Sequence, residues 1–184
     1  MNTLTELHQD HIHLDRLLSV LMQRIESLRA GGAPDFPLVS EIAEYIEHYV
    51  KKHHHPREDR MYALFKERNG ELDAVIAQCE QAHQMLEREG QGLLEIIEGA
   101  RNDAVMPMDE LVARLEGFVS DEKAHLDFEE SEVFPRIRAV AVAADWAVLA
   151  ETLPARPDPL FGPDRAATYE RLYAELEGMA GSGS

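Results

Sequence analysis

The chain has 184 residues and a formal net charge of −17, with one cysteine and nine histidines. An acidic surface of this kind repels a phosphate backbone and no basic patch offsets it, so nucleic-acid binding is not expected. The lone Cys79 rules out an internal disulfide, and no run of about 18 apolar residues is present to span a membrane.

The opening MNTLTELHQD has neither a basic start nor an apolar run. No secretory leader is therefore expected, and a cytoplasmic setting fits. The first predicted helix runs from about Thr3 to Arg29. Leu7, His11, Leu14, Leu17, Leu18, Leu21, Ile25 and Leu28 recur on one face. Gly31-Gly32-Ala33-Pro34 ends it. The second runs from about Leu38 to Arg68, with a kink at Pro56 that frees the carbonyl of Lys52. Asn69-Gly70 stops it. The third starts near Glu71 and fades between Gly99 and Asp103, with Cys79 and His83 on its apolar stripe. The fourth runs from about Pro107 to Val140. These helices far exceed the average of about 11–12 residues and have short connections, which predicts an all-α, up-down-up-down four-helix bundle.

A different region follows. A short helix opens at Asp145-Trp146 and reaches about Glu151, four prolines then break regularity, and a last helix covers about Asp164 to Gly178. The expected organisation is a bundle over 1–140, a helical appendix over 141–180 anchored by Trp146, Leu160 and Phe161, and a flexible tail over 181–184.

The histidines carry the chemistry. Residues at i and i+4 share a helix face, so His54 with Glu58, and His125 with Glu129, can each reach one metal ion. The two stretches repeat a pattern: HHPREDRMY at 54–62 and HLDFEESEVF at 125–134 each set a carboxylate four residues after a histidine. Imidazole and carboxylate together suit iron, manganese or zinc, and two such pairs suit a dinuclear site. The other helices each place a histidine on the apolar stripe, His11 and His83, where a buried imidazole must hydrogen-bond or ligate. His55 is an alternative to His54, because Glu58 lies three residues on. His8 and His13 lie off the stripe that holds His11, and His48 and His53 are expected to face solvent or acids behind the ligands. Cys79 has no basic neighbour and reads as core.

Several of these motifs resemble the hemerythrin-like, or HHE cation-binding, family. They are His11-x-x-Leu14, HHPRED at 54–59, His83-x-x-Leu86-x-x-x-Gly90 and HLDFEESEVFP at 125–135. Asp145-Trp146 and Asp158-Pro159-Leu160-Phe161-Gly162 resemble the tail of a bacterial branch. The resemblance covers most of the chain. It implies two non-haem iron ions, in oxo- or hydroxo-bridged form among others, with manganese or zinc as alternatives. By it, His11, His54, His83 and His125 are histidine ligands, and Glu58 and Glu129 bridge. Two departures stand out. Oxygen-carrying hemerythrins have a second histidine on the third helix where this chain has Glu87. They also place the last carboxylate where this chain has Glu130, so Glu129 and Glu130 compete. Fewer histidines leave an open coordination position, which favours reaction with hydrogen peroxide, dioxygen or nitric oxide over oxygen carriage. Whether that amounts to an enzyme, as a weak catalase-like or nitric-oxide-reactive activity, stays open. The alternatives are an oxygen or iron sensor, a metal-binding module, and a ferritin-like di-iron carboxylate protein built on Glu80-x-x-His83 and Glu122-x-x-His125. A small-molecule partner is expected; the oligomeric state is not legible.

Overall fold

A computed structural model of the chain describes residues 2–102, 107–154, 157–163 and 166–181. It is all-helical, with no strand among the described residues. No helix in them is long and apolar enough to cross a membrane.

Helix α1 spans Thr3–Arg29, as the periodicity requires. The Asn2 side chain accepts from the Thr5 amide at 3.0 Å to cap its start, and Gly31, at φ 84°, turns the chain out of it. The second stretch is not one kinked helix. It is α2 (Phe36–Tyr45), a π-helical segment (Ile46–His54) and α3 (His55–Phe65). Helix α4 spans Gly70–Arg101, capped by Asn69, whose side chain accepts from the Glu71 amide at 2.8 Å. The fourth stretch is again interrupted: α5 (Met108–Phe128), a second π segment (Glu129–Val133) and α6 (Phe134–Val140).

Both π segments have the same physical cause. Ile42, Ile46, Val50, His54, Glu58 and Tyr62 are all buried, one every four residues. So are His125, Glu129, Val133 and Ile137. A 3.6-residue turn would carry such a series steadily off one face, and the wider π turn keeps it there. A proline follows each segment, Pro56 and Pro135, and each stands in the first turn of the next α-helix, where its missing N–H costs least.

Helix α1 packs on α5, α2 on α4, and α4 on α5. The C-terminal region docks closely. Helix α7 (Ala143–Thr152) is fixed by Asp145, which accepts from the Val142 amide and takes a two-pronged ion pair from Arg68 at 2.7 Å. The last helix, α8, covers Glu170–Gly181 after a 3-10 turn at Ala167–Tyr169, later than the expected start at Asp164, which lies outside the described residues. Leu160, Leu172 and Leu176 join the main core. Trp146 and Phe161 are half-buried anchors. In the expected tail, Gly181 closes α8, and 182–184 lie outside the described residues.

Two apolar clusters form, and each long stretch contributes to both. Leu7, Met61, Tyr62, Cys79 and Val133 belong to one; Leu14, Val50, Leu93, Val119 and Leu126 belong to the other. Between them, at one level, every stretch breaks its apolar stripe with polar side chains: His11, then His54 to Glu58, then His83, then His125 to Glu129.

Candidate metal centre

That level is a buried layer of imidazoles and carboxylates. His11, His54, His55, Glu58, His83, His125 and Glu129 are each at most 7% exposed. Glu58 and Glu129 stand in the middle. His11 Nε2 lies 3.3 Å from Glu58 Oε1 and 3.4 Å from Glu129 Oε2. His83 Nε2 lies 3.5 Å from Glu58 Oε2 and 3.4 Å from Glu129 Oε1. His54 Nε2 lies 3.3 Å from Glu58, and His125 Nε2 lies 3.4 Å from Glu129. His55 stacks on His83 with ring centroids 4.0 Å apart.

The far sides of three imidazoles are fixed by acids. His11 Nδ1 donates to Glu130 at 2.8 Å, His54 Nδ1 to Asp10 at 3.2 Å, and His83 Nδ1 to Asp59 at 2.8 Å. A proton held on Nδ1 turns the Nε2 lone pair inward, the arrangement of a metal-binding histidine backed by a carboxylate. Tyr62 adds a hydroxyl that donates to Glu129 at 2.5 Å.

The inner atoms lack partners. His55 Nε2, Glu58 Oε2, His83 Nε2, His125 Nε2 and Glu129 Oε2 are buried without a hydrogen bond. Orphaned carboxylate oxygens and imidazole nitrogens cost stability unless something fills the space between them. Among the described residues four groups have ligand atoms within 4.8 Å of one another; beside Cys79 with His125 and Glu129, and Asp10 with His13 and Asp158, two groups hold four buried residues each: His55, Glu58, His83 and His125; and His11, His54, Glu58 and Glu129. Glu58 belongs to both. An all-nitrogen-and-oxygen set of this kind fits iron, manganese or zinc.

Protonation follows from the same crowding. Burial disfavours charge on His83, but its hydrogen bond to Asp59 and the nearby carboxylates of Glu129 and Glu58 prevail and raise it to about 10. His11 is also raised well above its ordinary value, against burial, by the adjacent carboxylates of Glu129, Glu130 and Glu58. Burial and the neighbouring imidazoles push His55 well down, and burial lowers His125. Burial opposes ionisation of Glu129, yet the surrounding imidazoles of His125, His11 and His83 hold it well below the usual carboxylate range.

The sequence-derived candidates divide clearly. His11, His54, Glu58, His83, His125 and Glu129 meet in the layer. His55 joins them, and the geometry takes in both His54 and His55, one in each set. Glu130 stays at the rim, accepting from His11 and His8. Glu87 does not reach the layer: it is exposed and pairs with Lys51 at 2.9 Å. Of the ferritin-like pairs, Glu80 turns outward to Lys66 at 2.6 Å, and Glu122 is buried but falls in neither set. Among the remaining histidines, His48 donates to the Glu44 carbonyl of α2, and His13 stacks on Phe161. Sequence reasoning missed Asp10 and Asp59. Each is adjacent in sequence to a core candidate but serves a histidine on another stretch, so no local spacing reveals it.

Residues 2–137 match the hemerythrin HHE cation-binding domain. An uncharacterized protein of Mycobacterium bovis and one of Mycobacterium tuberculosis are each 24% identical over 180 residues, covering 96% of this chain and 69% of theirs. No solved structure matches.

Proposed function

The chain belongs to the hemerythrin HHE cation-binding domain family, and from that premise we propose that it holds two iron ions and reacts with a small oxidant or diatomic: hydrogen peroxide, dioxygen or nitric oxide. The observation that carries this reading is the set of five orphaned buried atoms converging between Glu58 and Glu129. The proposed ligands of one ion are His11, His54, Glu58 and Glu129; those of the other are His55, Glu58, His83 and His125. In this reading residues 1–140 form an up-down-up-down four-helix bundle around the ions, and residues 141–180 pack against it as an appendix.

When bound, the ions supply redox steps that can exchange two electrons with a small oxidant. The chain does the rest. Asp10, Asp59 and Glu130 hold the Nδ1 protons of His54, His83 and His11 and so aim the inner lone pairs. The two apolar clusters, with Leu14 and Leu86 beside the layer, keep bulk water out. A cavity of about 420 Å³ lined by Lys51, Asp59, Glu87 and their neighbours reaches His55 and His83, which favours small reactants.

Two measurements test the proposal: iron content after loading, and oxygen evolved when the loaded protein meets excess hydrogen peroxide. About two irons per chain, with oxygen release above that of free iron, are expected. A folded chain that stays iron-free under loading refutes the metal reading. A loaded chain that instead binds and releases dioxygen reversibly refutes the reactive one.

A further inference from the structure

We propose that a cleft beside His54 binds a small phosphate-class oxyanion. The chain has 35 acidic residues against 18 lysines and arginines, so a gathering of cations without acidic partners runs against its balance. Lys52, Arg57 and Arg60 lie on the outer side of the first π segment and α3, close to one helical face, and line a cavity of about 310 Å³. The end of α7 at Leu153 forms the opposite wall. Arg57 is anchored there, donating to the Leu153 carbonyl and pairing with Glu6. Lys52 and Arg60 are exposed and have no acidic partner among the described residues. Asp10, the acid in this lining, already accepts from His54.

Two unneutralised cations therefore face one enclosure, with a third fixed between them by the protein itself. A guanidinium fork and an ammonium together match the oxygens of a tetrahedral phosphate. The volume suits inorganic phosphate or the phosphate group of a small metabolite, not a nucleic-acid duplex. The cleft adjoins the proposed ligand layer at His54, which lines it and holds Asp10 there through its Nδ1.

Calorimetric titration of the iron-loaded full chain with inorganic phosphate, and separately with glycerol phosphate, tests this. One anion per chain is expected. The affinity should fall about tenfold or more in the Lys52→Gln/Arg60→Gln double variant, stay unchanged in Arg88→Gln, and weaken as sodium chloride screens the exposed charges. Tighter binding of glycerol phosphate supports a metabolite's phosphate group; equal or weaker binding supports free phosphate. Phosphate binding that persists undiminished in the double variant is binding elsewhere, at the iron for example, and overturns the proposal. So does the absence of binding of either anion at millimolar concentration. Both substituted side chains are exposed and have no hydrogen-bond or ion-pair partner among the described residues, and an unchanged melting temperature confirms that the variant is folded.

Discussion

At the scale of single residues, the layer separates side chains that close on the proposed ions from those that aim them. His54 and His55 stand in different ligand sets, so His54→Ala and His55→Ala should each lose bound iron, measured per chain after loading, as should Glu58→Ala and Glu129→Ala. Glu87→Gln should keep its iron, because Glu87 pairs with Lys51 at the surface. Iron loss from Glu87→Gln, or full retention in His55→Ala, would break this division. Glu122 allows a second test. Burial raises its carboxyl to about 8 from an ordinary 4.5. A folded value above the unfolded one adds stability below 4.5 that is lost as pH rises to 8. Glu122→Gln removes this penalty. It should therefore stabilise the metal-free chain at pH 8 by an amount on the order of a few kcal/mol and leave it nearly unchanged at pH 4.5. Denaturant midpoints at the two pH values check it, and equal effects at both would show that Glu122 is not held protonated. Histidines on an apolar stripe and a carboxylate four residues on were legible in the sequence. Asp10 and Asp59 were not, because their partners lie on other helices and the pairing exists only after packing.

At the scale of elements, the two π segments explain why the sequence yields the helices but not their form. The long periodic stripes of α1 and α4 could be read almost to the residue. In the second and fourth stretches the four-residue spacing of buried positions was visible, yet it reads equally as a kinked α-helix, and the proline points to the kink. What decides is that Val50, His54, Glu58 and Tyr62 must all face one interior. The wide turn satisfies this and points the neighbouring His54 and His55 into adjacent sets. Pro56 helps to hold that turn, since it cannot offer the N–H that an α-turn to Lys52 would use. Pro56→Ala restores that donor. The metal-free variant should melt at the wild-type temperature or a few degrees higher, while its affinity for iron falls, measured by competition with a chelator. Unchanged iron affinity would mean that the π turn is set by the packed stripe alone.

At the scale of the whole molecule, the two apolar clusters are joined through a polar layer of imidazoles and carboxylates. In the C-terminal region Leu160 could be read as an anchor, but Leu172 and Leu176 could not, because they lie in a short helix with no long stripe to mark them. Without metal, the layer balances its carboxylates with protons. His11 and His83 are raised above 6.5, so their contribution to stability is full below about 6.5 and is lost as pH rises through their folded values, about 10 for His83. Glu129 is depressed below 4.5, so its contribution is present above about 4.5 and is lost on acidification. From these groups, the metal-free chain is most stable between the two limits. Metal needs the Nε2 lone pairs that those protons occupy, so loading must expel them. At pH 7, adding ferrous iron to the metal-free chain in weak buffer with an indicator dye should release about two protons per chain, one from each raised histidine. Affinity should then rise with pH from about 6.5 until the raised histidines have lost their protons, and the loaded form should melt higher by mass action. Full loading with no proton release would mean that the empty layer is neutral at its imidazoles. Glu58 and Glu129 would then face each other uncompensated, and proton substitution for the metal would be wrong even if the ligand set were right.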